Sequence, residues 1–140
     1  MMFPKNKWKA KTSKKGPRSL LIRRCLAAWS KVVVRRFGDV CAKCGARGAN
    51  SHHIITRGTC PAMWWFAPDY GVRLCIECHM YTAHSTDFDR QKHFNDWVRG
   101  YVKTRGQDYD TMHTIARSRG QNMKDFDLDF VFKSLMEQLK

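Results

Sequence analysis

The sequence predicts a small α+β domain: a core stapled by zinc, helices on either side of it, and a basic N-terminal arm. Three observations lead there. Two C-x-x-C pairs, Cys41/Cys44 and Cys75/Cys78, bracket the 30 residues 45–74, which are rich in turn formers. Apolar residues recur at three- and four-residue steps before and after that segment, the spacing of amphipathic helices. The first 36 residues hold twelve basic groups and no acid, whereas the other 104 hold fourteen basic and twelve acidic groups. A chain of 140 residues suits one domain. The pattern divides it into a flexible basic arm over 1–18 and a single domain over 19–140, with the stapled core at about 40–86 and C-terminal helices at about 87–140.

The arm carries a lysine ladder that includes Lys14 and Lys15, broken by Pro4, Gly16 and Pro17, with little to bury. Ser19 stands where a helix cap is expected. Ile22, Cys25, Leu26, Trp29, Val32, Val33 and Phe37 then make an apolar stripe that Gly38 stops, with Arg23, Lys31 and Arg35 on the other face. Between Val40 and Leu74, five glycines and prolines after Gly45 predict short strands and loops, with His52-His53-Ile54-Ile55 as a strand end. A helix is expected from near Cys78, and further helices over Phe88–Arg99 and Tyr109–Arg119. The last follows Asp127 as cap, with Leu128, Val131, Phe132, Leu135, Met136 and Leu139 as its stripe.

Composition excludes several classes. With 43% apolar and 27% charged residues the chain is no wholly disordered protein. The longest apolar run, Ala62 to Ala67, is six residues, against about 20 for a membrane span. A basic N-terminus without an apolar core reads as no secretory signal. The net charge of +14, concentrated at one end, is the footprint of a polyanion partner, the alternative being a solubilising tail.

Paired C-x-x-C knuckles in a non-secreted chain read as metal ligands before disulfides, which suits a reducing cytoplasm. Cys41, Cys44, Cys75 and Cys78 supply the four ligands of a closed structural zinc site, leaving Cys25 and Cys60 single. Four of the six histidines, His52, His53, His79 and His84, cluster in sequence around that clamp. Neighbours in a strand point to opposite sides, so one of His52 and His53 can bind a metal while the other faces substrate. His79 can meet His52 at the same ion, an open site with room for water and phosphate. Arg57 and Arg73 are candidate phosphate clamps, and solvated arginines look the same. The run Met63-Trp64-Trp65-Phe66 either packs the insert or stacks on bases.

C-x-x-C, then S-H-H-I, then D-Y-G-V-R-L-C-x-x-C-H resembles a zinc-stapled HNH endonuclease of the ββα-metal type, with the nearest likeness to small phage-borne versions and NinG-type recombination proteins. The likeness spans about Val40 to His84. It implies that His52 and His79 bind a divalent cation (Mg²⁺, Mn²⁺, Ni²⁺ or Zn²⁺), that His53 is the general base, and that His84 is a further ligand or phosphate contact. The family's orienting Asn is Tyr70 here, which leaves three readings: Asp69 replaces it, the Tyr70 hydroxyl replaces it, or cleavage is weakened or lost. The implied activity is metal-dependent hydrolysis of DNA, duplex or branched, with Arg23, Lys31, Arg35, Lys14 and Lys15 on backbone phosphates, beside phage recombination or packaging proteins in a host cytoplasm. The alternative is a non-catalytic zinc-finger DNA-binding or packaging accessory.

Overall fold

A computed structural model describes residues 16–118 and 127–140. The arm through residue 15, with Lys14 and Lys15, and the stretch 119–126 lie outside the described residues. Among the described residues the protein is α+β, a two-stranded sheet between helical layers.

Helix α1 runs over Pro17–Phe37. It starts earlier than the sequence suggests: Gly16 is the cap and Pro17 occupies the first turn, so Pro17 and Arg18 belong to the helix and Ser19 makes no cap bond. Proline's fixed φ suits this position, and its missing N–H is one the first turn does not use. Gly38 ends the helix at φ +88°, donating to the Val34 carbonyl.

Strand β1 (Asn50–His53) pairs antiparallel with β2 (Gly71–Leu74), placing His52 opposite Val72 and His53 opposite Gly71. The pleat then sorts side chains to two faces. Toward α1 the fit is tight at Gly71, where a Cβ would stand 2.5 Å from Val33 Cγ2 and 2.8 Å from Trp29 Cζ2. On the other face Val72 and Leu74 join a core with Phe94, Val98 and Val102 of α2 (Phe88–Thr104) and Met112 and Ala116 of α3 (Tyr109–Ser118). Asp87 caps α2 by accepting from the Arg90 amide at 3.1 Å. The helix outruns its expected end at Arg99 because Val102, fully buried, adds another turn to the apolar face.

Helix α4 (Leu128–Glu137) is capped as expected, Asp127 accepting from the Phe130 amide at 3.0 Å. Its Leu128 and Leu135 pack with Cys25, Ala28, Trp29, Val32 and Val33 of α1 in a second core. Met136, 43% exposed, falls outside it. Arg35 donates to the carbonyls of Leu139 and Lys140, just past the end of α4, and so ties that end back to α1.

Two irregular segments position the site. Val40 bridges Arg47 around a knuckle whose Gly45, at φ +81°, takes the left-handed conformation that glycine adopts without strain. The chain after β2 forms a π-helix over Cys78–Ala83. No helix among the described residues is long and apolar enough to cross a membrane.

Candidate functional site

The knuckle at 40–47, the end of β2 and the start of the π-helix bring Cys41, Cys44, Cys75 and Cys78 together, with all four Sγ atoms within 4.8 Å of one another. Cys44 and Cys75 Sγ are 3.6 Å apart. Four sulfurs at 2.3 Å from a tetrahedral zinc stand about 3.8 Å apart, so the set fits that ion. Among the described residues all six cysteines are free of disulfides. Burial opposes ionisation of Cys41, but hydrogen bonds from the Cys75, Cys44 and Lys43 backbones pull its thiol down to about 6. Burial, then hydrogen bonds with the other three thiols, push Cys78 up. Four thiolates cannot coexist without a cation, and a bound metal takes up the charge that the protein otherwise refuses. The two remaining cysteines lie apart: Cys25 is fully buried against α4, and Cys60 donates to the Thr56 carbonyl at 3.5 Å.

A second cluster joins His52 with His79 and His84, one ring nitrogen from each lying within 4.8 Å of the others. His52 is buried on the α2 face of β1, 5.4 Å from the Phe94 ring. His79 lies in the π-helix and His84 caps its end, with their Nε2 atoms 3.0 Å apart. The π turn makes this possible. Residues five apart sit about 140° apart around an α-helix, but an i→i+5 bond, His84 N to His79 O at 3.0 Å, stacks them. Burial, then the charges of His84 and His79, hold His52 down to about 3, so it stays neutral with a lone pair to donate. His79 Nδ1 is buried with no hydrogen-bond partner among the described residues. Three imidazoles converging, with no carboxylate in the cluster among the described residues, suit a divalent transition metal.

His53 points the other way. Its ring stacks on Trp29 of α1, centroids 4.1 Å apart and planes 8° from parallel. Its Nε2 lies 2.9 Å from the Trp65 carbonyl. A carbonyl only accepts, so Nε2 carries the proton and Nδ1 is the basic nitrogen. Burial outweighs that hydrogen bond and lowers His53 to about 4, keeping the ring neutral. Both histidine faces meet at a cleft of about 460 Å³ between α1 and β1, which His52, His53, His79, His84, Arg57 and Arg73 all line.

The side chains expected to orient His53 have their polar groups bonded elsewhere. The Tyr70 hydroxyl is buried and donates to the Met112 carbonyl at 3.3 Å, and its ring packs on Trp64. Asp69 is exposed and pairs with Arg36 at 3.0 Å. Both sit in the short 3₁₀ turn Pro68–Tyr70, which directs them away from β1. Trp65 and Trp29 hold the ring instead, and no pattern in the sequence marks a backbone carbonyl or a helix-face tryptophan for that task. The aromatic run is packing: Phe66 is buried in the α1–α4 core, and Trp65 donates to the Arg57 and Cys60 carbonyls.

Among the candidate cations, Arg57 is exposed and lies over the Trp65 ring at 5.4 Å. Arg23 and Lys31 are exposed on α1. Arg73 is half-buried and anchored, its Nε donating to Asp39 at 2.7 Å. Arg35 is taken by the C-terminal carbonyls. No protein-family model, curated protein or solved structure matches this chain.

Proposed function

We propose that the protein is a metal-dependent DNA endonuclease of the HNH, ββα-metal type, with a structural zinc at the four cysteines. The observation that carries this reading is the cleft in which a three-histidine cluster and an oriented, neutral fourth histidine open onto the same space. His52, His79 and His84 would hold a divalent cation, which when bound would supply Lewis-acid stabilisation of charge on the leaving oxygen. The chain's own part is proton transfer and positioning. His53 takes the proton of the attacking water at Nδ1 while the Trp65 carbonyl keeps Nε2 protonated. Arg57, extended over Trp65 at the rim, contacts a non-bridging phosphate oxygen. The acid-free N-terminal sequence adds backbone contacts that do not depend on sequence.

A cleavage panel over duplex, flap and four-way DNA with Mg²⁺, Mn²⁺, Ni²⁺ and Zn²⁺ tests the proposal. The protein should cut at least one substrate, and His53→Ala should lose cleavage by about 10²- to 10⁴-fold, the contribution of a general base, with zinc content and DNA affinity near normal. If the unmutated protein and His53→Ala are equally inert throughout, the protein is a DNA-binding module.

A further inference from the structure

The cleft has a polar floor that the proton transfer above does not use. Ser30 of α1 and Ser51 of β1 meet hydroxyl to hydroxyl at 2.8 Å, and Arg73 Nη1 lies 3.5 and 3.3 Å from them. Asp39 fixes the same guanidinium through Nε, while Nη2 has no protein partner among the described residues. Gly48 backs it: a Cβ there would come within 2.8 Å of Arg73 Cγ, so the chain has closed behind the arginine.

The placement matches a polynucleotide. Ser51 and His53 are two apart in β1, hence on one face and about 6.7 Å apart along the strand, one nucleotide's reach on a phosphodiester backbone. Ala27 and Ala49 line this end of the cleft and leave room for a backbone to approach. Arg23, exposed, shares the helix face of Ala27 and Ser30 at spacings of four and seven, which carries positive charge toward the start of α1.

We propose that Ser30, Ser51 and Arg73 form a seat for a second backbone phosphate, the neighbour of the one that is cut, so that the substrate strand runs along α1 toward Arg23. This rests on the endonuclease reading for the identity of the ligand. One of the two hydroxyl protons is free of the Ser30–Ser51 bond and, with the Nη2 protons, faces the anion.

The test is a binding cycle that needs no cleavage. Equilibrium affinity is measured for short DNA duplexes in which one uncharged methylphosphonate linkage is walked along a strand. Full-length His53→Ala is compared with the same chain also carrying Ser30→Ala and Ser51→Ala. At one linkage the parent should lose about tenfold, as expected for charge-assisted hydrogen bonds, and the serine variant, which keeps only the Arg73 contact, should lose clearly less. Equal losses in parent and variant at every linkage overturn the seat. Because the paired serines also join α1 to β1, Ser30→Ala alone repeats the cycle, alanine being the better helix former. A protein that shows the expected cycle but cuts no substrate overturns the endonuclease reading and leaves the seat standing.

Discussion

His53 illustrates how a side chain gains a role from groups that are remote in sequence. A histidine in water samples both tautomers. Here the Trp65 carbonyl selects one, and the Trp29 indole, whose own Nε1 donates to Ala67 O at 2.9 Å, holds the plane. Tyr70 has a different task. Its hydroxyl joins the Pro68–Tyr70 turn to α3, so Tyr70→Phe should cost about 1 kcal/mol of stability, the net value of one hydrogen bond, and leave the cleavage rate within a factor of two. Denaturant titration and the rate on the best substrate measure both quantities. A large fall in rate without a fall in stability would show that the hydroxyl reaches the reacting groups after all.

At the scale of elements, the π-helix over Cys78–Ala83 is where geometry departs from expectation. A regular helix from Cys78 would set His84 on the far side from His79, and no three-histidine cluster would form. Residues Met80 and Tyr81 within it are exposed, so the segment tolerates changes in length better than β1 or β2. Inserting one alanine after Tyr81 should remove His84 from the cluster. Cleavage and binding of a second metal equivalent should fall at least tenfold, with the four-cysteine metal retained. Deleting Tyr81 should be milder, because it leaves the histidines four apart and an α-helix then presents them on one face. Metal stoichiometry of the two variants decides the matter, and equal loss in both would show that the π turn is not what aligns the rings. Gly71 constrains the opposite face in the same way: any larger residue must push α1, with Trp29, away from His53.

At the scale of the molecule, two cores are joined through a sheet of two strands, too small to be stable alone. A metal held by the four cysteines would tie the ends of the irregular insert and couple metal binding to folding. Structural zinc contributes about 10–16 kcal/mol in small domains, as large as the whole stability of most proteins. Cys75→Ser should therefore lose the metal and unfold the insert, whereas Cys25 and Cys60, remote from the cluster, should be replaceable without loss of metal. Elemental analysis with circular dichroism reads both outcomes, and a fully folded metal-free protein would contradict the staple. The nucleic-acid contacts proposed for the basic N-terminal sequence are tested by deletion. Since α1 begins at Pro17, the deletion that spares it removes residues 1–15 and six lysines. The slope of log K against log salt on duplex DNA should flatten, by about 0.9 for each phosphate that the shortened chain no longer neutralises. An unchanged slope would show that the arm does not touch the backbone.

By itself the sequence determined the features written in spacing. The C-x-x-C pairs marked the four-sulfur cluster, the stripe from Ile22 to Phe37 marked α1, and Asp127 marked the start of α4. Bringing the two C-x-x-C turns together takes the pairing of β1 with β2, but the turn within each pair, the stripe and the cap are local, placed by a turn or a helical period whatever the rest of the chain does. The opposed directions of His52 and His53 followed from the strand period in the same way. Only the tertiary structure decided what those residues meet. That α1 crosses the sheet at Gly71 puts Trp29 on His53, Ser30 on Ser51 and Asp39 on Arg73, pairs separated by 21 to 34 residues of sequence. The turn holding Tyr70 faces α3, so the side chain that replaces the expected asparagine is a packing residue. The π register of Cys78–Ala83 is decided by tertiary packing too, since intrinsic propensity favours an ordinary α-helix and the bonds given up to the wider turn must be made good by what surrounds it.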